Sequence, residues 1–181
     1  LNREKRRLVL DLSTQQAKTE HIEDIQKIAR TAWGEMCPDA LADSDVSQYF
    51  NEKYGADDLK EWLIHDGTWF YVLLDSDRVV GFCQLTREQD EKNIAVFEKF
   101  LLYPDYQEQK IAYRLFHQVI KAATSHGVTE VVIDIPECSK KWRDVFTHIG
   151  VEFETWRKFD KKVGSKEITF WPGLLTIVPG C

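Results

Sequence analysis

No stretch of this chain comes near the ~20 consecutive apolar residues that a membrane-crossing helix needs, and no leader-like segment is visible in it. Positive charge is also in short supply. Lys and Arg number 24 against 30 Asp and Glu, giving a net charge of −6, which argues against nucleic acid as a partner because that role needs a basic face. The acidic balance suits a cationic small partner such as an amine, and equally a surface that is merely well solvated. The four cysteines, Cys37, Cys83, Cys138 and Cys181, are far apart and show no C-x-x-C spacing. That excludes the usual zinc frameworks, gives no disulfide pattern, and predicts a reducing, cytoplasmic setting with no metal. Internal repeats, low-complexity tracts and linkers are missing too, so the expectation is one domain over residues 1–181.

What is present is an alternation of helical and strand patterns. A short apolar run over residues 8–12 predicts a first strand. Thr19 then stands where it can cap a helix in which Ile22, Ile25, Ile28, Ala29 and Ala32 recur at helical spacing. A second helical region is expected over 45–64, interrupted at Tyr54-Gly55. Its Tyr49, Phe50, Tyr54 and Trp62 have two readings, core packing or the lining of a pocket. Residues 68–74 and 79–85 flank the polar turn Asp75-Ser76-Asp77-Arg78, which is a hairpin signal. Residues 130–135 are apolar apart from Asp134 and predict a central strand. A helix ending at Gly150 follows, then two closing strands over 153–159 and 168–178.

The stretch that organises the chain is 94–120. A buried strand over 94–103 should stop at Pro104, which has no amide hydrogen to give a ladder. After a polar turn, Ile111, Leu115, Val119 and Ala122 form the apolar stripe of a helix. Strand, tight turn and helix N-terminus together favour an anion at the converging amides.

The run Glu98-Lys99-Phe100-Leu101-Leu102-Tyr103-Pro104-Asp105-Tyr106-Gln107 resembles the strand and corner that enter the acetyl-CoA site of the GCN5-related N-acetyltransferases, the GNAT family. The phrase WFYVLLDSDRVVGFCQL, the apolar strand 130–135 and the helix ending at Gly150 resemble the same family in the same order. The resemblance implies an α/β fold, a mixed and mostly antiparallel sheet flanked by helices on both faces and split between its fourth and fifth strands. The family turn reads Gln/Arg-x-x-Gly-x-Gly/Ala. Here Gln107 and Ala112 match, while Lys110 replaces the central Gly. The Lys side chain either points outward and adds positive charge or obstructs the turn. In the later helix, Ser139 takes the family's Asn place, Trp142 its Ala place and Phe146 its Tyr place.

The resemblance implies acetyl transfer from acetyl-CoA to a primary amine of a small molecule or peptide, by direct attack. It would place the coenzyme A pyrophosphate against Gln107, Glu108, Gln109, Lys110, Ile111 and Ala112, with Leu102, Tyr103 and Ser139 along the rest of the cofactor. The amide of Leu102 would polarise the thioester carbonyl. Glu98 is the first choice for the base. It stands four residues before Leu102 and therefore on its face under strict alternation, and an apolar strand would raise its affinity for protons. Its alternative is an edge residue with no catalytic part. Phe146 has no hydroxyl, so Tyr103, Cys138, Ser139 or water remain as proton donors to the leaving thiolate. A thiol at Cys138, ahead of a helix, is also a candidate nucleophile.

Two other functions stay open. One is a GNAT scaffold that binds a ligand or partner without turnover. The other is an unrelated α/β domain with the same framing. The segment 170–175, rich in aromatic and apolar residues, reads either as a final core strand with a bulge at Pro172-Gly173 or as a strand paired across a homodimer.

Overall fold

The structure is a computed structural model, and it describes residues 10–36, 43–154, 156–163 and 165–177. An eight-stranded sheet runs in the order β1-β2-β3-β4-β5-β8-β6, with β7 also paired to β8. Its strands are β1 (Leu12–Gln16), β2 (Thr68–Asp75), β3 (Arg78–Arg87), β4 (Ile94–Leu102), β5 (Glu130–Pro136), β6 (Glu152–Phe153), β7 (Phe159–Val163) and β8 (Lys166–Thr176). The helices are α1 (Ile22–Met36), α2 (Asp43–Lys53), α3 (Ala56–Ile64), α4 (Gln109–Thr124) and α5 (Lys140–Ile149).

The pairing is antiparallel except between β4 and β5, which run parallel. One face carries α1, α2 and α3, whose Ile25, Ile28, Phe50 and Leu59 pack on Phe70, Phe82 and Leu101. The other carries α4 and α5, where Leu115, Val119, Trp142 and Phe146 pack on Leu85, Phe100, Leu102 and Ile133. The sheet is therefore mixed, mostly antiparallel and covered on both faces, as its strand periodicity and the two amphipathic helix sets demand.

Several boundaries move. The first strand is 12–16 rather than 8–12, because its partner β2 fixes the register from Leu12 opposite Asp75 to Gln16 opposite Tyr71. Residues 8 and 9 lie outside the described residues. Thr19 is not a cap. It opens a 3₁₀ turn (Thr19–His21) that leads into α1, with Lys18 at the cap position. The closing part holds three strands, since β7 and β8 form a hairpin of their own. Segment 170–175 is the core strand of the two readings, with its partners β5, β6 and β7 all within the chain, but the expected bulge is absent because the register with β5 runs unbroken through Pro172 and Gly173.

Geometry requires glycine at two positions that bear on the site's frame. Gly150 ends α5 at φ 105°, a conformation that L side chains avoid. Gly81 pairs with Leu102, and a Cβ there would stand 2.3 Å from Leu102 Cδ2 and 3.1 Å from the Leu101 carbonyl oxygen. Leu102 is fully buried and has nowhere to retreat. Gly81→Ala is expected to lower stability by about 1–3 kcal/mol through overpacking, measured as a shift of the urea midpoint at unchanged slope.

Candidate active site

The parallel ladder between β4 and β5 is short. It runs from Ile94 opposite Glu130 to Phe97 opposite Ile133 and then ends, although both strands continue. The two C-terminal halves diverge, and the space between them is an open cavity of about 430 Å³. Glu98, Lys99 and Leu101 line it from β4, and Ile133, Asp134 and Ile135 from β5. Tyr49 and Tyr54 close one side, while Lys161, Lys162 and Phe170 close another. The aromatic residues expected in 45–64 thus divide. Tyr49 and Tyr54 line the cavity, and Phe50 is core.

Strict alternation fails at Glu98. On β3, Gln84 and Leu85 are consecutive, but their partners on β4 are Lys99 and Phe97, so Glu98 is the extra residue of a β-bulge. Counting by twos from Leu102 therefore does not give its face. Leu102 packs into the α4/α5 side of the core, whereas Glu98 is exposed at the cavity. The expectation of a carboxylate enclosed in an apolar strand is corrected accordingly. The negative charge of Glu98 still reaches its surroundings. Burial first, and then that charge, push the Tyr49 hydroxyl up to about 12.

Lys99 is the residue that sequence reasoning passed over. Its side chain is 8% exposed, and its Nζ donates to Gln84 Oε1 at 2.8 Å. The ammonium lies over the rings of Tyr54 and Trp62 at 5.7 and 5.6 Å. Burial is the main reason its proton affinity falls to about 8, with Lys53 lowering it further and Glu98 and Asp58 opposing. Asp134 also departs from expectation. It reads in the sequence either as a carboxylate that binds an amine or as the cap of the following turn, and in the structure Lys161 Nζ donates to its Oδ2 at 2.8 Å.

At the far end of the gap, Tyr103 donates its amide to the Val80 carbonyl at 2.9 Å. By the alternation of an antiparallel strand, the amide of Leu102 then points away from β3, toward the gap. The Leu102 carbonyl, on the same side, accepts from Gln107 Nε2 at 3.0 Å, and Gln107 Oε1 accepts from Lys141 Nζ at 2.8 Å. This chain of three groups links β4 to α5. Tyr103 stands apart from the cavity, half-buried beneath the Arg78 guanidinium, 5.1 Å from its ring centre. The structure does not bring it to Glu98.

The six-residue turn is only partly available to a phosphate. Gln107 donates its amide to Pro104, and both Ile111 and Ala112 donate theirs to Glu108. The amides of Gln109 and Lys110 come before the first full helical bond of α4, where a helix has no internal acceptors for them. The expected cradle of six amides is thus corrected to the middle of the turn. Lys110 is exposed in that first turn, so its side chain points outward, and Ala112 is fully buried beneath it. Ser139 is buried at the start of α5. Its amide goes to Pro136 and its carbonyl takes the amide of Arg143. Cys138 is disulfide-bonded. This corrects the expectation of unpaired cysteines and removes that thiol as a nucleophile.

Trp142 and Phe146 occupy the α5 side of the gap. Trp142 meets Phe100 edge-on at 5.1 Å, and Phe146 meets Phe97 and Phe100 at 5.5 and 5.4 Å. No hydroxyl stands where Phe146 is. Among the described residues, no group of His, Cys, Asp and Glu is placed to hold a metal ion, and no helix is long and apolar enough to cross a membrane.

Comparison with known proteins agrees with this architecture. The profile of the acetyltransferase (GNAT) family matches residues 22–150, which extends the likeness upstream of the hairpin to include α1. The PaiA N-acetyltransferase of Thermoplasma acidophilum, solved in complex with coenzyme A, superposes with a TM-score of 0.76 at 15% identity, over 90% of this chain and 98% of that one. YncA of Salmonella typhimurium, a putative acetyltransferase solved with acetyl-CoA, gives 0.71 at 14% identity over 94% and 96%. A probable acetyltransferase of Staphylococcus epidermidis gives 0.71 at 14% identity over 92% and 99%. No curated protein matches the chain in sequence.

Proposed function

Because the chain belongs to the acetyltransferase (GNAT) family, we propose that residues 1–181 act as one GNAT domain that moves an acetyl group from acetyl-CoA to a primary amine of a small molecule or peptide. The observation that carries this is the divergence of β4 from β5 beyond Phe97 and Ile133, which opens the sheet beside a carboxylate and two helix N-termini. The neighbours of known structure that hold coenzyme A or acetyl-CoA support the choice of donor.

The residues present fit that donor at two points. The amides of Gln109 and Lys110, with the outward ammonium of Lys110, would hold its pyrophosphate at the head of α4. The Leu102 amide, aimed into the gap, would meet the thioester carbonyl. Acetyl-CoA supplies the activated acetyl group. The amine nitrogen attacks the carbonyl carbon, the carbon–sulfur bond breaks, and the sulfur leaves as thiolate. Glu98, exposed at the cavity, takes the proton that the ammonium form must lose before its nitrogen can attack, directly or through water. With Phe146 lacking a hydroxyl and Tyr103 outside the cavity, water protonates the thiolate.

Trp142 and Phe146 favour a second reading, a GNAT scaffold that binds without turnover, since both crowd Phe100 from the α5 side. Calorimetric titration with acetyl-CoA and with coenzyme A separates the two. Micromolar binding is expected, and Lys110→Glu should weaken it about tenfold by reversing a charge at the helix N-terminus. Absence of binding at millimolar ligand would overturn the enzymatic reading and leave the fold untouched.

A further inference from the structure

The charge inside the cavity is opposite in sign to that of the chain. The protein carries −6 overall, yet the cavity is lined by Lys53, Lys99, Lys161 and Lys162 against only Glu98 and Asp134. Asp134 is already engaged by Lys161. That leaves three lysines facing one carboxylate, inside walls that are largely aromatic. A low-dielectric cleft lined mainly by one sign concentrates its field and attracts the other sign.

Lys99 sets the chemistry. Among the described residues its ammonium has a single hydrogen-bond acceptor, the neutral Gln84 Oε1, and no carboxylate within ion-pair distance. Gln84 is itself fully buried, and its other end donates to Thr86. An ammonium offers three protons, so two remain without an oxygen partner. Burying a cation against neutral groups alone is costly. Two spare protons at a buried cation match the two oxygens of one carboxylate.

Resting on the acetyl-transfer reading of this cavity, we infer that its acceptor is an amine that also carries a carboxylate, with an apolar body between or beside them. Glu98 receives the amine end and Lys99 the carboxylate end. The two residues are neighbours in sequence, and the open gap in the sheet lets both reach the same space. The substrate is thus an amino acid in the broad sense rather than a polyamine. This reverses what the net charge of the chain suggests.

The test uses matched acceptors: a panel of α-, β- and ω-amino acids with aromatic or aliphatic bodies, each beside its carboxamide, its parent amine and a phosphate analogue. The free acids are expected to exceed the carboxamides in kcat/KM by about 10- to 100-fold, as hydrogen bonds to charged groups do. In Lys99→Met that ratio should collapse to within a few-fold, with the loss in KM. Lys53→Gln, at an exposed helical position, should reduce the ratio in the same direction and guards against a Lys99 variant that does not fold. Preference for polyamines or neutral amines, preference for the phosphate analogue, or an unchanged ratio in both variants would overturn the inference. Direct calorimetric binding of the N-acetylated acids, compared with their carboxamides, reads the cavity without turnover. Binding of acids by a protein that ignores acetyl-CoA would sink the transfer reading alone. Binding of acetyl-CoA with no discrimination between acid and carboxamide would sink this inference alone.

Discussion

Glu98→Gln is expected to lower kcat by about 10²- to 10⁴-fold, the usual contribution of a positioned base, while coenzyme A binding stays as it was. Gln keeps the length and shape of Glu but cannot take a proton from an ammonium group. Glu98 is the unpaired residue of the bulge and is exposed, so the change should leave packing intact. The deficit should also depend on pH. Below the acceptor's own pKa, each unit of rising pH supplies about tenfold more free amine without help from the protein. The gap between variant and parent should therefore narrow steadily on the alkaline side. A deficit that is constant with pH would point to a role in shape or binding. A change of less than about twofold would remove Glu98 from the chemistry.

The bulge also explains what could and could not be seen in the sequence. The hairpin β2–β3, the strand β4, the stripe of α4 and the helix ending at Gly150 were legible, because period-two and period-3.6 patterns are local. The strand, corner and helix start around 94–112 were legible for the same reason. A bulge leaves no such mark. Nothing in Phe97-Glu98-Lys99-Phe100 shows that one residue drops out of the ladder, so period-two counting gives the wrong face for Glu98. Which amides of the turn remain unbonded is hidden for a related reason. Whether Gln107, Ile111 and Ala112 spend their amides on Pro104 and Glu108 is decided by turn geometry rather than by residue type.

The cationic lining was hidden differently. Lys53, Lys99, Lys161 and Lys162 lie on four separate stretches only if the last two are divided, and on three elements as the chain folds: α2, β4 and β7. Composition averages them into a net negative charge. One local signal did exist. Lys99 alternates with Leu101, so it belongs to the same inward face of an otherwise apolar strand. A lone cation on a buried face is a question the sequence poses by itself.

Lys99 should also leave a signature in stability. In the unfolded chain it titrates near its ordinary value of 10.5, and in the fold near 8. Between those values the unfolded state binds more protons than the native state, so stability rises with pH across this window. The sign is that of a buried cation. Below about 8 the fold carries the charged group at its full cost, and above 10.5 the group is neutral in both states. The displacement corresponds to about 3 kcal/mol. Other lysines and tyrosines titrate in the same range, so the quantity to measure is the difference between the protein and Lys99→Met. From urea unfolding at pH 7 to 11, the parent should gain about 3 kcal/mol relative to the variant. At pH 7 the variant's relief from burying a charge is offset by the Gln84 oxygen it leaves unbonded, a loss of about 1–3 kcal/mol. The slope is therefore more telling than any single value. Parallel curves would mean that Lys99 keeps its ordinary affinity for protons despite its burial.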